Sequence, residues 1–184
     1  MAGNETMAMI DRLARIAAHD AHTAGLKPVQ WEALRFLARA NRFSRTPGAL
    51  TAYLGATKGT VSQTLIALER AGYIDKSTDT ADRRTVRLAL TAAGRERLTR
   101  DGTEPMERAL GSLNEADRRA LTNGAAALLR ARIAIDGGRP FGICRDCRHF
   151  AHDAGGLGQH FCRLLKVPLA EADTGKICIE QEAA

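Results

Sequence analysis

The 184-residue chain has no run of apolar residues approaching the roughly 18 to 20 needed to cross a bilayer, which excludes a membrane-spanning helix. Its first residues, Met1 to Thr6, lack the basic region and apolar core of a leader, so the expected location is the cytoplasm. No glycine-rich phosphate loop, paired-carboxylate arrangement or nucleophile triad stands out, and the expectation is a protein that is not an enzyme. No internal repeat is evident, which excludes a solenoid. Cysteine is absent before Cys144, and all four cysteines fall between Cys144 and Cys178. Cytoplasmic thiols stay reduced, so these read as metal ligands or redox groups rather than structural disulfides. Tryptophan occurs once, at Trp31, and is assigned to the core.

What is present points to a soluble globular protein, with 45% hydrophobic and 26% charged residues. The formal charge of +6 and a pI near 9.5 suit a polyanionic partner such as nucleic acid. The organising stretch is Thr57 to Ile74. Thr57 can cap a helix, Val61, Leu65 and Leu68 share a face at i, i+4, i+7, and Gly72 offers a left-handed stop. Opposite that stripe stand Gly59, Thr60, Gln63 and Ala67, flanked by Lys58 and Ser62. From Thr57 onward no acidic residue occurs until Glu69, so the face can lie against a DNA major groove.

The flanks strengthen this reading. Ile10, Leu13 and Ile16 predict a first helix from about Met7 to Thr23, ending near Gly25. His19 and His22 on it read as solvated or interfacial rather than as ligands. Pro28 opens a second helix with Trp31, Leu34 and Leu37 on its apolar stripe. Thr46-Pro47 opens a third, which Gly55-Ala56 turns into the fourth. Two short helices joined by a tight turn, the second with a polar outer face, form a helix-turn-helix pattern. The period then becomes alternating. Tyr73 and Ile74 begin one strand, Thr85 to Leu90 form a second, and the polar segment Asp75 to Arg84 is the exposed tip of a hairpin. At that tip Asp82, Arg83 and Arg84 can serve a minor groove, Asp82 holding a guanidinium in position without touching DNA. Thr91 caps a further helix through Leu98, the segment 101–105 interrupts it, and Asn114 opens a last long helix with Leu121, Ala125 and Leu128. The long alanine-rich end helices are too thin in apolar bulk for a monomer core and invite a partner chain.

The order of helices, the run Leu68-Glu69-Arg70-Ala71-Gly72-Tyr73-Ile74, the triplet Asp82-Arg83-Arg84 and the run Leu90-Thr91-Ala92-Ala93-Gly94 together resemble the winged-helix regulators of the MarR (multiple antibiotic resistance regulator) family. The resemblance covers roughly residues 7 to 135. It implies a homodimer joined through its N- and C-terminal helices that binds a pseudo-palindromic double-stranded operator and usually represses. By the same resemblance Lys58, Thr60, Ser62 and Gln63 match recognition-helix contact positions, and Asp82 and Arg84 match the wing pair. Ile66 and Ala67 depart from the family pattern, which often has charged or polar residues there. The expected fold is mainly α with a small β-hairpin wing: a winged-helix and dimerisation domain over 1–135, a linker over 136–140, and a small cysteine-rich appendage over 141–184.

The appendage carries Cys144-x2-Cys147-x14-Cys162-x15-Cys178, and three of the five histidines lie beside these cysteines. A CxxC knuckle joined by two later cysteines can complete a tetrahedral site for zinc, and an iron–sulfur cluster accepts the same four ligands. His149, His152 and His160 are close enough in sequence to replace or orient a cysteine. Such a centre could be structural, or could sense metal or redox state, with a redox or small-molecule effector. Two other readings stand beside it. Cys144 and Cys147 could form a thiol–disulfide pair, although no βαβ pattern surrounds them. Alternatively, a zinc tail on a DNA-binding dimer could be a protein-interaction module.

Overall fold

The computed structural model describes residues 2–23, 25–79 and 82–183, with Ala2 and Thr23 described by their backbone alone. Thr80 and Ala81, in the loop expected at the hairpin tip, lie outside the described residues, as do Met1, Ala24 and Ala184. The winged-helix region runs α1 (Ala2–Thr23), α2 (Pro28–Arg39), α3 (Pro47–Leu54), α4 (Lys58–Arg70), β1 (Ile74–Thr78), β2 (Val86–Leu90), α5 (Ala92–Leu98), α6 (Glu104–Gly111) and α7 (Glu115–Ile135). Among the described residues no helix is long and apolar enough to cross a membrane.

One core joins these elements. Trp31, Leu34 and Leu37 of α2 meet Leu50 of α3, Val61, Leu65 and Leu68 of α4, and Ile74, Leu88 and Leu90 of the hairpin. Trp31 is fully buried, and its indole N–H donates to the Ala21 carbonyl at 2.7 Å, so its one polar atom is satisfied. Side-chain hydroxyls end the helices where the sequence places them. Thr46, Thr57 and Thr91 accept from Ala49, Thr60 and Gly94 N–H respectively. Gly55, at φ 59°, supplies the left-handed turn between α3 and α4. Arg35 of α2 donates to Asp101 at 2.7 Å, fastening the turn between α5 and α6.

Two differences from the sequence reading have physical causes. The first helix begins at Ala2, not Met7, because its exposed polar first turns carry no periodic signal. Strand β1 extends through Thr78, paired from Ile74↔Leu90 to Thr78↔Val86, where a polar loop was expected. Beyond Ile74 no residue of β1 is fully buried, so the sequence there carries no apolar alternation.

Helices α1 and α7 leave large apolar side chains in solvent, Met9, Leu13 and Ile16 on the first and Leu121, Leu128 and Leu129 on the second. Neither α6 nor α7 buries a residue.

Beyond α7 the chain forms β3 (Gly142–Ile143), a 3-10 turn (Cys144–Asp146), β4 (Phe150–Ala151), β5 (Gln159–Cys162), β6 (Val167–Ala170), α8 (Glu171–Thr174) and β7 (Ile177–Cys178). β3 pairs with β7, and β4, β5 and β6 form an antiparallel sheet. Sequence composition suggests a separate appendage after a linker at 136–140. In the fold, residues 141–183 return to the winged helix. Ile177, 5% exposed, belongs to the same core, and Phe141 packs edge-on against Phe36 and Tyr53.

Candidate functional site

The face of α4 away from the core is open. Lys58, Thr60, Ser62 and Gln63 are all exposed, and no acidic residue lies in the first turn of the helix. The Thr60 and Thr57 hydroxyls lie 2.9 Å apart, so Thr60 is fixed at the helix start. Ile66 is also exposed, at 43%, an apolar side chain on the same outward surface. Thr64, which the apolar stripe does not include, is buried; its hydroxyl donates to the Thr60 carbonyl at 2.9 Å. Local satisfaction of that hydroxyl is what permits a polar residue on the buried face.

The wing brings Asp82, Arg83 and Arg84 together. One Asp82 oxygen accepts from the Arg84 backbone N–H at 3.1 Å and from its Nε at 3.3 Å, and the other accepts from the Thr85 hydroxyl at 3.0 Å. The Arg84 N–H foremost, then the Thr85 hydroxyl and the Arg84 side chain, hold the Asp82 carboxyl below its ordinary range. Arg84 is thereby an exposed, locally ordered cation. Arg83 is exposed with it. Further back, Arg87 binds Asp79 at 2.6 Å and the Phe43 carbonyl at 2.8 Å, tying the wing to the loop before α3.

In the C-terminal region Cys144, Cys147, Cys162 and Cys178 line one small space together with Phe150, Leu164, Leu165, Leu169, His149 and Glu180. All four are free thiols. Burial foremost, then the neighbouring Cys178, Cys162 and Cys147, pushes the Cys144 thiol up to about 12. The Leu165 N–H points at Cys162 Sγ at 3.5 Å, and Cys144 N–H bonds the Lys176 carbonyl at 3.0 Å. This mutual repulsion of thiolates in an apolar setting is what a bound cation relieves.

Spacing distinguishes the thiols from a second group. Among the described residues, the His152, Asp153 and His160 ligand atoms lie within 4.8 Å of one another, while the four sulfurs supply no such set of three. A single zinc at about 2.3 Å from each sulfur draws sulfurs to about 3.8 Å apart. His152 and His160 therefore stand with Asp153 rather than with the cysteines. His160 is buried, its Nδ1 accepting from the Asp153 N–H at 3.1 Å and its Nε2 lying 2.7 Å from Glu171, so both ring nitrogens are engaged within the protein. Of the three histidines, only His149 lies at the thiol space.

A helix-turn-helix followed by a two-stranded wing, with polar residues outward on its second helix and an arginine at the wing, defines a winged-helix unit. Residues 24–85 match the model of the MarR family, which spans the helix-turn-helix and most of the wing. Among solved structures the chain is similar to FabT of Streptococcus pneumoniae in complex with DNA, at 20% identity and a TM-score of 0.59 over 73% of this chain and 99% of that one. It is similar to the S. aureus MepR–DNA complex at 20% identity and a TM-score of 0.58, over 68% and 96% of the two chains. A MarR transcriptional regulator from Methanosarcina mazei Go1 shares 24% identity and a TM-score of 0.58, over 72% and 96%. No curated protein matches in sequence.

Proposed function

We propose that the protein is a MarR-type transcription regulator that binds double-stranded DNA as a homodimer and represses, with α4 in the major groove and Arg84 in the minor groove. The observation that carries this reading is the shared exposure of Lys58, Thr60, Ser62 and Gln63 on α4 and of Arg84 on the wing, in a fold that FabT and MepR use in their DNA complexes. The unpartnered apolar residues of α1 and α7 support dimerisation through the terminal helices. Gel-shift with duplexes recovered by selection from a random pool tests it. Recovery of a two-fold-related sequence supports the reading, and binding that shows no sequence preference overturns it.

The four cysteines form a thiolate metal centre in this reading. Zinc is one occupant, held by all four thiolates, and an iron–sulfur cluster, in which each thiolate can hold a different metal atom, is the alternative. Metal content and visible absorption of anaerobically purified protein separate the two, a brown protein with iron and sulfide marking the cluster and a colourless one with zinc the single ion. Against the thiol–disulfide reading stands Cys144, whose thiol is pushed up to about 12, opposite to the lowered value of an attacking cysteine.

A further inference from the structure

We infer that the thiol centre regulates DNA binding through the loop between α2 and α3, which the centre holds on one side and the wing grips on the other. The inference rests on the metal reading of the four cysteines given above. Cys178 lies in β7, and both of its neighbours in sequence bond to that loop. The Asn41 N–H donates to the Ile177 carbonyl at 2.8 Å, and the Ile179 N–H donates to Ser44 Oγ at 3.0 Å. Lys176 adds a bond from its ammonium to the Ala38 carbonyl at 3.1 Å. A second strand of the module reaches the loop as well, since Arg42 donates to the Pro168 carbonyl at 2.6 Å and pairs with Asp173 at 3.5 Å.

The loop is built to transmit what β7 does. Asn41 and Ser44 are buried, 2% and 0% exposed, and Asn41 Oδ1 accepts from the N–H groups of both Phe43 and Ser44. On its far side the loop carries the wing. Arg87 donates to the Phe43 and Arg42 carbonyls at 2.8 and 3.3 Å, and the Leu88 N–H donates to the Arg45 carbonyl at 2.8 Å. The next residue, Thr46, caps α3, the first helix of the helix-turn-helix. A contiguous path of hydrogen bonds and packed backbone therefore runs from a metal ligand to both DNA-reading elements, without passing through the dimerising helices.

The two states of this device are the ordered and the loosened module. A domain this small gains its folding free energy from thiolate–metal bonds, so emptying the centre frees β7. Ile177 then leaves the core, Ser44 loses its partner, and the loop that positions Arg87 and Leu88 is released. DNA that selects the ordered wing binds the metal-loaded form more tightly, and by linkage it must raise metal affinity by the same factor.

The test uses the full chain and the duplex selected with metal-loaded protein. Loading is by zinc alone or by ferrous iron with sulfide under argon, and metal is assayed directly. Affinity is compared for loaded protein, chelator-stripped protein and Cys144→Ser/Cys147→Ser, with hydrogen exchange read over residues 82–90. The expected result is a loss of about 5- to 150-fold in affinity on metal loss, with faster exchange in β2. Ser44→Ala, which removes only the acceptor for Ile179, should keep the metal and weaken its effect on affinity. Failure to hold metal at all overturns the centre and this inference together. Metal held and then removed, with affinity and wing exchange unchanged, overturns the regulatory coupling alone.

Discussion

Arg84 extends from the wing with 94% of its side chain exposed, yet Asp82 restrains it from the backbone and from the guanidinium. In water such a surface pair adds little to stability, so its restraint matters for presenting a cation rather than for the fold. Arg84→Ala should weaken binding to a selected duplex by about 1–3 kcal/mol while leaving the thermal midpoint unchanged. Equal gel-shift affinities at moderate salt would refute the minor-groove role. Gln63, outward on α4, can offer a donor and an acceptor together to an adenine edge. Gln63→Ala should relax sequence preference more than it lowers affinity for random duplex, and a parallel fall in both would remove it as a base reader. The outward position of Gln63 was legible in the sequence because helical phase fixes which side chains face outward once Val61, Leu65 and Leu68 face in. Thr64 was not legible, since hydropathy is blind to a hydroxyl satisfied by its own helix. Asn41 and Ser44 were beyond reach for another reason: their partners lie more than a hundred residues away in β7 and β7's flank.

At the level of elements, the junction between the wing and α5 depends on Gly94. A Cβ there would stand 2.1 Å from the Tyr73 carbonyl oxygen, which also accepts from the Thr91 N–H. Gly94→Ala should therefore cost about 1–3 kcal/mol by overpacking, measured by urea denaturation, and an unchanged midpoint would contradict the close approach. The tie between α2 and the turn before α6 predicts a pH dependence. Burial works to raise the Asp101 carboxyl, but hydrogen bonds from Thr103 and Arg35 outweigh it and hold it below its ordinary value of 3.8. A carboxyl depressed in the folded state contributes stability that is present above its unfolded value and is lost as pH falls through the folded one. Stability should thus decline below about pH 4, and Asp101→Asn should flatten that decline in thermal melts. Helices α2 to α5 could be read from caps and periodicity. The length of β1 could not, because beyond Ile74 its residues are polar and none is fully buried, and the backbone makes its pairing with β2.

For the whole molecule, the placement of the cysteine-rich region is the feature that composition concealed. Few apolar residues and a glycine-containing break suggested an independent appendage, whereas Ile177 is buried in the main core and Phe141, Ile143 and Ile179 pack against it. Ile177→Ala should destabilise the winged helix itself by about 2–5 kcal/mol, read by exchange at core amides of α2 and α4. Protection unchanged there would mean that the two regions are energetically separate. The clustering of four cysteines was legible from their spacing; their distribution around the space, and the separation of His152 and His160 from them, required the fold.

The central claim is that two copies of this winged helix read DNA together. Chemical footprinting of the full chain on its selected duplex tests it most directly, with methylation reporting the major groove and hydroxyl radical the minor. The account predicts two major-groove patches related by two-fold symmetry and about one helical turn, or a whole number of turns, apart, each flanked by minor-groove protection that Arg84→Ala removes. A single patch, or protection spread evenly along the duplex, would contradict it.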